Sequence, residues 1–175
     1  MCAITKKICL LGDFSVGKTS LIRRFVEEKF SDKYLSTVGV KISRKSLMLQ
    51  TETETKQVEL LIWDLEGHTK FKSITPSYLK GASGSVIVGD LTRINTLNNL
   101  SKHIELFLEI NPDSWVVISL NKADLIQPEK LEQLVKLYGN YQHQKVIKTY
   151  LTSAKTGDRV NDLFQKLTQN IVRER

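Results

Sequence analysis

The sequence predicts a three-layer α/β domain, with a six-stranded, mostly parallel sheet, one antiparallel strand in it, and about five helices. Three observations predict it. Apolar runs of strand length alternate with segments whose apolar residues recur every three or four positions. Some of those runs, such as Ser85-Val86-Ile87-Val88, are apolar throughout, as suits strands covered on both faces. A glycine-bearing turn, residues 12–19, joins the first strand to the first helix.

Taken in order, residues 7–11 form the first strand, and the helix after the turn carries Leu21, Ile22, Phe25 and Val26 at helical spacing. Residues 28–37 are polar with scattered aromatics and read as an exposed loop. Residues 38–50 alternate loosely through Val40, Ile42, Leu47 and Leu49; residues 58–63 form the next strand, and the polar link 51–55 makes the two an antiparallel hairpin. Residues 67–81 read as mixed loop and helix, and 85–88 as a buried strand. Leu97, Leu100, Ile104, Phe107 and Leu108 mark one helix face, with Thr96 as the expected cap, before a strand at 115–118. A helix from Pro128 to Tyr138 turns Leu131, Leu134, Val135 and Tyr138 inward, and 146–151 is the last strand. The closing helix aligns Val160, Leu163, Phe164, Leu167 and Ile171. Residues 1–175 read as one domain, with its ligand expected at the carboxyl ends of the strands.

Apolar residues make up 41% and charged residues 26%, ordinary for a globular chain. No apolar run approaches the roughly 20 residues of a spanning helix. The first strand follows the N-terminus so closely that a signal peptide has no room, which predicts a cytoplasmic location. Cys2 and Cys9 form neither metal-ligand spacing nor a disulfide framework, and Cys9 is expected in the core. The net charge of +7 is spread along the chain, with no cluster longer than Lys6-Lys7 or Arg23-Arg24. Nucleic acid is therefore not an expected partner. Membrane contact is expected only through a partner or a lipid-bearing tail, since residues 172–175 hold no prenylation cysteine.

The stretch Gly12-Asp13-Phe14-Ser15-Val16-Gly17-Lys18-Thr19 fits the spacing G-x-x-x-x-G-K-[ST], between a strand and a helix as the mechanism requires. Its glycines let successive N–H groups face inward, and the helix adds its positive N-terminal end. Asp13, Phe14, Ser15, Val16, Gly17, Lys18, Thr19 and Ser20 are thus expected around a nucleotide's phosphates. Lys18 would reach the terminal phosphates, and the Thr19 hydroxyl would ligate magnesium. Downstream, Asn121-Lys122-Ala123-Asp124 follows a strand. The Asp124 carboxylate can accept two hydrogen bonds from adjacent donors, which guanine presents and adenine does not, so GTP or GDP is the expected ligand. In Ser153-Ala154-Lys155 the Ala154 N–H could donate to the guanine oxygen, while the stems of Lys122 and Lys155 could cover the base.

These motifs, with Tyr34-Leu35-Ser36-Thr37-Val38-Gly39 and Trp63-Asp64-Leu65-Glu66-Gly67, resemble the Ras superfamily of small GTPases, most closely its Rab-like branch, from Lys6 to about Phe164. The resemblance implies the P-loop NTPase domain of a small G protein. It implies Thr37 as second magnesium ligand, Asp64 holding the metal through water, the Gly67 N–H on the γ-phosphate, and Phe30 edge-on against guanine. It also implies switch loops near 30–42 and 64–80 that present an effector surface, Ile42, Trp63 and Tyr78 standing where relatives have an aromatic triad. An effector protein, an exchange factor and an activating protein are the partners it implies.

The chain departs from that pattern at two places. His68 stands where the family has a glutamine that orients the attacking water. Histidine offers one donor and one acceptor, but on opposite sides of a rigid ring. Phe14 stands where relatives carry a small residue, so its ring would crowd the space above the γ-phosphate. With Lys18, Gly67 and His68 as catalytic candidates, the expectation is a GTPase whose intrinsic hydrolysis is impaired; its limit is a GTP-binding scaffold with little or none.

Overall fold

The computed structural model describes residues 4–33, 36–50, 54–65 and 75–173. Six strands lie in one sheet in the order β2-β3-β1-β4-β5-β6. They are β1 (Ile4–Gly12), β2 (Val40–Gln50), β3 (Thr55–Leu65), β4 (Gly84–Asp90), β5 (Trp115–Asn121) and β6 (Val146–Leu151). Among the described residues only β2 runs antiparallel to its neighbour, with Val40 opposite Leu65 and Gln50 opposite Thr55. The helices are α1 (Lys18–Glu27), α2 (Thr75–Leu79), α3 (Ile94–Asn98), α4 (Leu100–Ile110), α5 (Pro128–Tyr138) and α6 (Val160–Arg173).

The period of two along β1 sorts side chains into two cores. Ile8 and Leu10 pack with Leu21 and Phe25 of α1 and with Leu163, Phe164 and Leu167 of α6. Cys9 and Leu11 face the other way, against Leu97, Ile104, Phe107 and Leu134 of α3, α4 and α5. Every residue of β4 is buried, as befits a parallel strand covered on both faces. Phe25 and Phe164 stack at 4.1 Å and tie α1 to α6. Burial pushes the Cys9 thiol up to about 12, which keeps it protonated.

Several expectations shift. The expected cap Thr96 is not at a helix start: α3 begins at Ile94, and Thr96 is fully enclosed. Its hydroxyl accepts the Asp90 N–H at 2.9 Å and donates to the Arg93 carbonyl at 2.7 Å, fixing the turn after β4 rather than capping. The single helix expected across 97–108 is divided at Asn99, whose side chain is committed elsewhere. The link at 51–53 and Cys2 lie outside the described residues.

β1 is the point where the sheet's connections diverge, to β3 on one side and β4 on the other. A crevice opens at the carboxyl ends of strands at such a point. Gly12, Leu65, Asp90, Asn121 and Leu151 end the strands that meet there.

Candidate functional site

The turn from β1 to α1 is shaped by two glycines. Gly12 (φ 152°) and Gly17 (φ 106°) lie in the left-handed region, and a Cβ on them would collide with the Val88 carbonyl and the Asn121 amide respectively. No side chain caps α1, so the first amides of a ten-residue helix are left to a ligand. Donors from outside the turn take three successive carbonyls. Arg93 Nη2 reaches Phe14 O at 2.8 Å, Lys122 Nζ reaches Ser15 O at 3.1 Å, and Asn121 Nδ2 reaches Val16 O at 3.0 Å. In a trans peptide the N–H points opposite to the C=O, so the amides of Ser15, Val16 and Gly17 are directed into the turn. The result is a cradle of like-oriented donors.

Lys18 folds back over this cradle, its Nζ donating to Gly12 O and Asp13 O at 2.8 Å each. It is only 7% exposed. Burial pulls its ammonium down to about 8, against the attraction of Asp64 and Asp13. Two carbonyls are weak partners for an enclosed cation, and an anion would complete its shell.

Beside it, three oxygens converge. Thr19 Oγ1 lies 2.6 Å from Thr37 Oγ1 and donates to Asp64 Oδ2 at 2.5 Å, and Thr37 Oγ1 lies 3.3 Å from the same oxygen. Asp64 is 1% exposed, and its Oδ1 finds no hydrogen-bond partner among the described residues. Burial raises the Asp64 carboxyl above its usual range, although Thr19, Lys18 and Thr37 pull the other way. An orphaned carboxylate oxygen beside two hydroxyls fits a hard, oxygen-preferring divalent cation. Among the described residues no three His, Cys, Asp or Glu side chains gather as they would around a softer metal.

At the other end, Asp124 stands in a short 3-10 turn after β5 and accepts a 2.6 Å hydrogen bond from Ser153 Oγ. Asn121 Oδ1 accepts both the Thr152 hydroxyl and the Ala154 N–H at 3.2 Å. The amide expected to be open for a base therefore has a protein acceptor here. Arg24 of α1 pins this loop from behind, donating to the carbonyls of Ala154 and Lys155.

A cavity of about 380 Å³ runs between the two ends. Of the sequence-predicted residues, Phe14, Ser15, Gly17, Lys18, Thr19, Ser20, Phe30, Thr37, Asn121, Lys122, Asp124, Ala154 and Lys155 line it. Val16 and Ser153 are buried behind the wall, as is Asp64. Asp13 turns away: its carboxylate accepts from Asn99 Nδ2 and lies 2.8 Å from His103 Nε2. Burial works to raise that carboxyl, but these two partners outweigh it and hold it low. Gly67 and His68 lie outside the described residues, as do Tyr34, Leu35, Glu66 and Phe71.

Sequence reasoning missed Asp90, Arg93 and Arg24. Asp90 is 1% exposed and accepts Thr92 N–H and Oγ1 on Oδ1, with Arg93 Nε at 3.0 Å and Lys122 Nζ at 2.7 Å on Oδ2. Its burial alone would raise it, but Lys122, Thr92 and Arg93 bring it below the usual carboxylate range. A charged residue ending an apolar strand run was the available signal. Of the three residues expected on an effector surface, Ile42 pairs with Trp63 across the hairpin, and Trp63 meets Tyr78 at 6.3 Å. Ile42 is 49% exposed, whereas Trp63 lies under the Lys7 ammonium, 3.9 Å from its ring.

Comparison with known proteins agrees with this geometry. The model of the Ras family matches residues 7–173. Human Ras-related protein Rab-22A is 34% identical over 167 residues, covering 94% of this chain and 82% of that protein. Canine Ras-related protein Rab-13 is 34% identical over 170 residues (95% and 79%). Ras-related protein Rab-1C of Dictyostelium discoideum is 32% identical over 166 residues (94% and 80%).

Proposed function

This chain belongs to the Ras family, in its Rab-like branch, and from that premise we propose that it is a guanine-nucleotide-dependent switch that hydrolyses GTP slowly. The observation that carries the reading is one cavity with a cation-ready oxygen cluster and an enclosed lysine at one end and a hydrogen-bonded carboxylate at the other. Lys18 and the inward amides of the turn hold the terminal phosphates. Thr19 and Thr37 would hold magnesium directly and Asp64 through water, and the ion would supply charge neutralisation to the terminal phosphates. Asp124 reads the N1 and N2 edge of guanine, with Phe30 and the stems of Lys122 and Lys155 around the ring. To take the guanine oxygen, the Ala154 N–H must yield or share its bond to Asn121.

Thr37 joins the cluster only while its loop is closed, so loss of the γ-phosphate releases that loop and the effector surface around Ile42, Trp63 and Tyr78. The effector, an exchange factor and an activating protein are the expected partners, at a cytoplasmic location. No described helix is long and apolar enough to cross a membrane.

Hydrolysis is the impaired step. His68 is a poor substitute for a water-orienting amide, and Phe14 lines the cavity beside Lys18. An intact Ras hydrolyses at about 3–5 × 10⁻⁴ per second unaided. Single-turnover hydrolysis with magnesium is expected to fall below about 10⁻⁴ per second for the wild type, and to rise roughly tenfold in His68→Gln combined with Phe14→Gly. A wild-type rate in the ordinary range would show that His68 orients water competently.

A further inference from the structure

We propose that Arg93 is a positioning residue that lengthens the stay of the bound nucleotide by holding the Phe14 peptide in its phosphate-facing orientation. The inference rests on the guanine-nucleotide reading above. Arg93 belongs to none of the motifs of that reading, and its side chain is 37% exposed. Its guanidinium makes two directed bonds: Nε donates to the buried Asp90 carboxylate at 3.0 Å, and Nη2 donates to Phe14 O at 2.8 Å. Asp90 is the fixed point. Its carboxylate is held on four sides, and the Asp90 N–H and the Arg93 carbonyl are both bonded to the Thr96 hydroxyl. The arm reaching the phosphate loop is therefore anchored at side chain and backbone alike.

The consequence lies in the peptide that the arm grips. With Phe14 O held outward, the Ser15 N–H is held inward. Ser15 itself sits at φ 61°, a conformation that a non-glycine residue keeps only when its surroundings enforce it. Lys122 grips the next carbonyl from the same Asp90 oxygen, so one buried carboxylate presets two consecutive amides through two cations. Without Arg93 the Phe14 carbonyl loses its 2.8 Å charge-assisted partner, and the Ser15 N–H is held less firmly toward the phosphates. A lysine at 93 can keep the ion pair or reach the carbonyl, but lacks the planar fork that does both.

The test is the dissociation and association rates of fluorescent GDP with magnesium, for wild type, Arg93→Ala and Arg93→Lys. Arg93→Ala is expected to release GDP about tenfold faster, as for one weakened charge-assisted hydrogen bond, with association within about twofold of wild type. Arg93→Lys is expected to fall between the two, and decides the matter should Arg93→Ala not fold. Hydrogen exchange at the Ser15 amide of the GDP-bound protein should quicken in both, a change that general loosening of the fold would not confine to this turn. Wild-type release from both variants would overturn the role of Arg93 and leave the nucleotide reading intact. Failure of the wild type to bind GDP would overturn both.

Discussion

Replacing Asp124 with asparagine is expected to move the protein's preference from guanine to xanthine nucleotides. The carboxylate offers only acceptors, and Ser153 Oγ already fixes its orientation through a 2.6 Å bond to Oδ1. Guanine brings two donors, N1–H and N2–H, to such a group. An asparagine keeps one acceptor but presents a donor where N2–H arrives, so one bond is lost and two donors face each other. At about 1.5–3 kcal/mol for the charge-assisted bond that is lost, GDP affinity falls roughly 10- to 150-fold. Xanthine carries an oxygen in place of the amino group and restores both contacts. Titration of Asp124→Asn with GDP and with xanthosine diphosphate checks this; GDP affinity within threefold of wild type would remove Asp124 from base recognition.

Replacing Lys18 with methionine is expected to separate binding from stability. Burial holds Lys18 at about 8 against 10.5 for an ordinary lysine. A lysine whose folded value is depressed destabilises the fold fully below about pH 8, and the penalty is relieved as pH rises toward 10.5. At pH 7 methionine removes that penalty while keeping the stem, so the free variant should unfold at the same midpoint or higher. Binding should go the other way. Removing one partner of a buried charge pair costs about 2–5 kcal/mol, which weakens GDP by roughly 30- to 5,000-fold. Ligand at 100 times its Kd stabilises a protein by about 2.7 kcal/mol, so GDP with magnesium should raise the unfolding midpoint of the wild type and, at the same concentration, that of the variant by about a third as much or less. Equal shifts in both would mean that the phosphates lie elsewhere.

What the sequence made legible was local. Periodicity located α5 at Pro128–Tyr138 and β6 at Val146–Leu151 without a shift of a residue, because both are bounded by polar turns. It also named the buried face of α6: Val160, Leu163, Phe164, Leu167 and Ile171 are all in the core. β1 was harder. It begins at Ile4, three residues before the expected start at Lys7, because Thr5 and Lys6 pair with Glu59 and Leu60 of β3 despite their polarity. Thr96 carried the right residue type for a cap, but the tertiary demand of the β4 turn claimed its hydroxyl.

The site divided along the same line. Described residues inside motifs of fixed spacing mostly line one cavity, since spacing is what a sequence displays. The supports were not found, because Arg93 reaches a carbonyl 79 positions away and Arg24 one 130 positions away. No periodicity links such partners; only the folded sheet brings them together. Asp13 was read as part of the cradle by position alone, and its side chain proved to be bound to α4 and the turn before it.

The most direct test of the account is competitive calorimetric titration of the wild-type protein with GDP and ADP, with magnesium and again with the ion removed by a chelator. The account predicts one GDP per chain, no competition from a thousandfold excess of ADP, and markedly weaker GDP binding once magnesium is gone. Equal affinity for the two nucleotides would contradict the role given to Asp124. GDP binding indifferent to magnesium would contradict the one given to Thr19, Thr37 and Asp64.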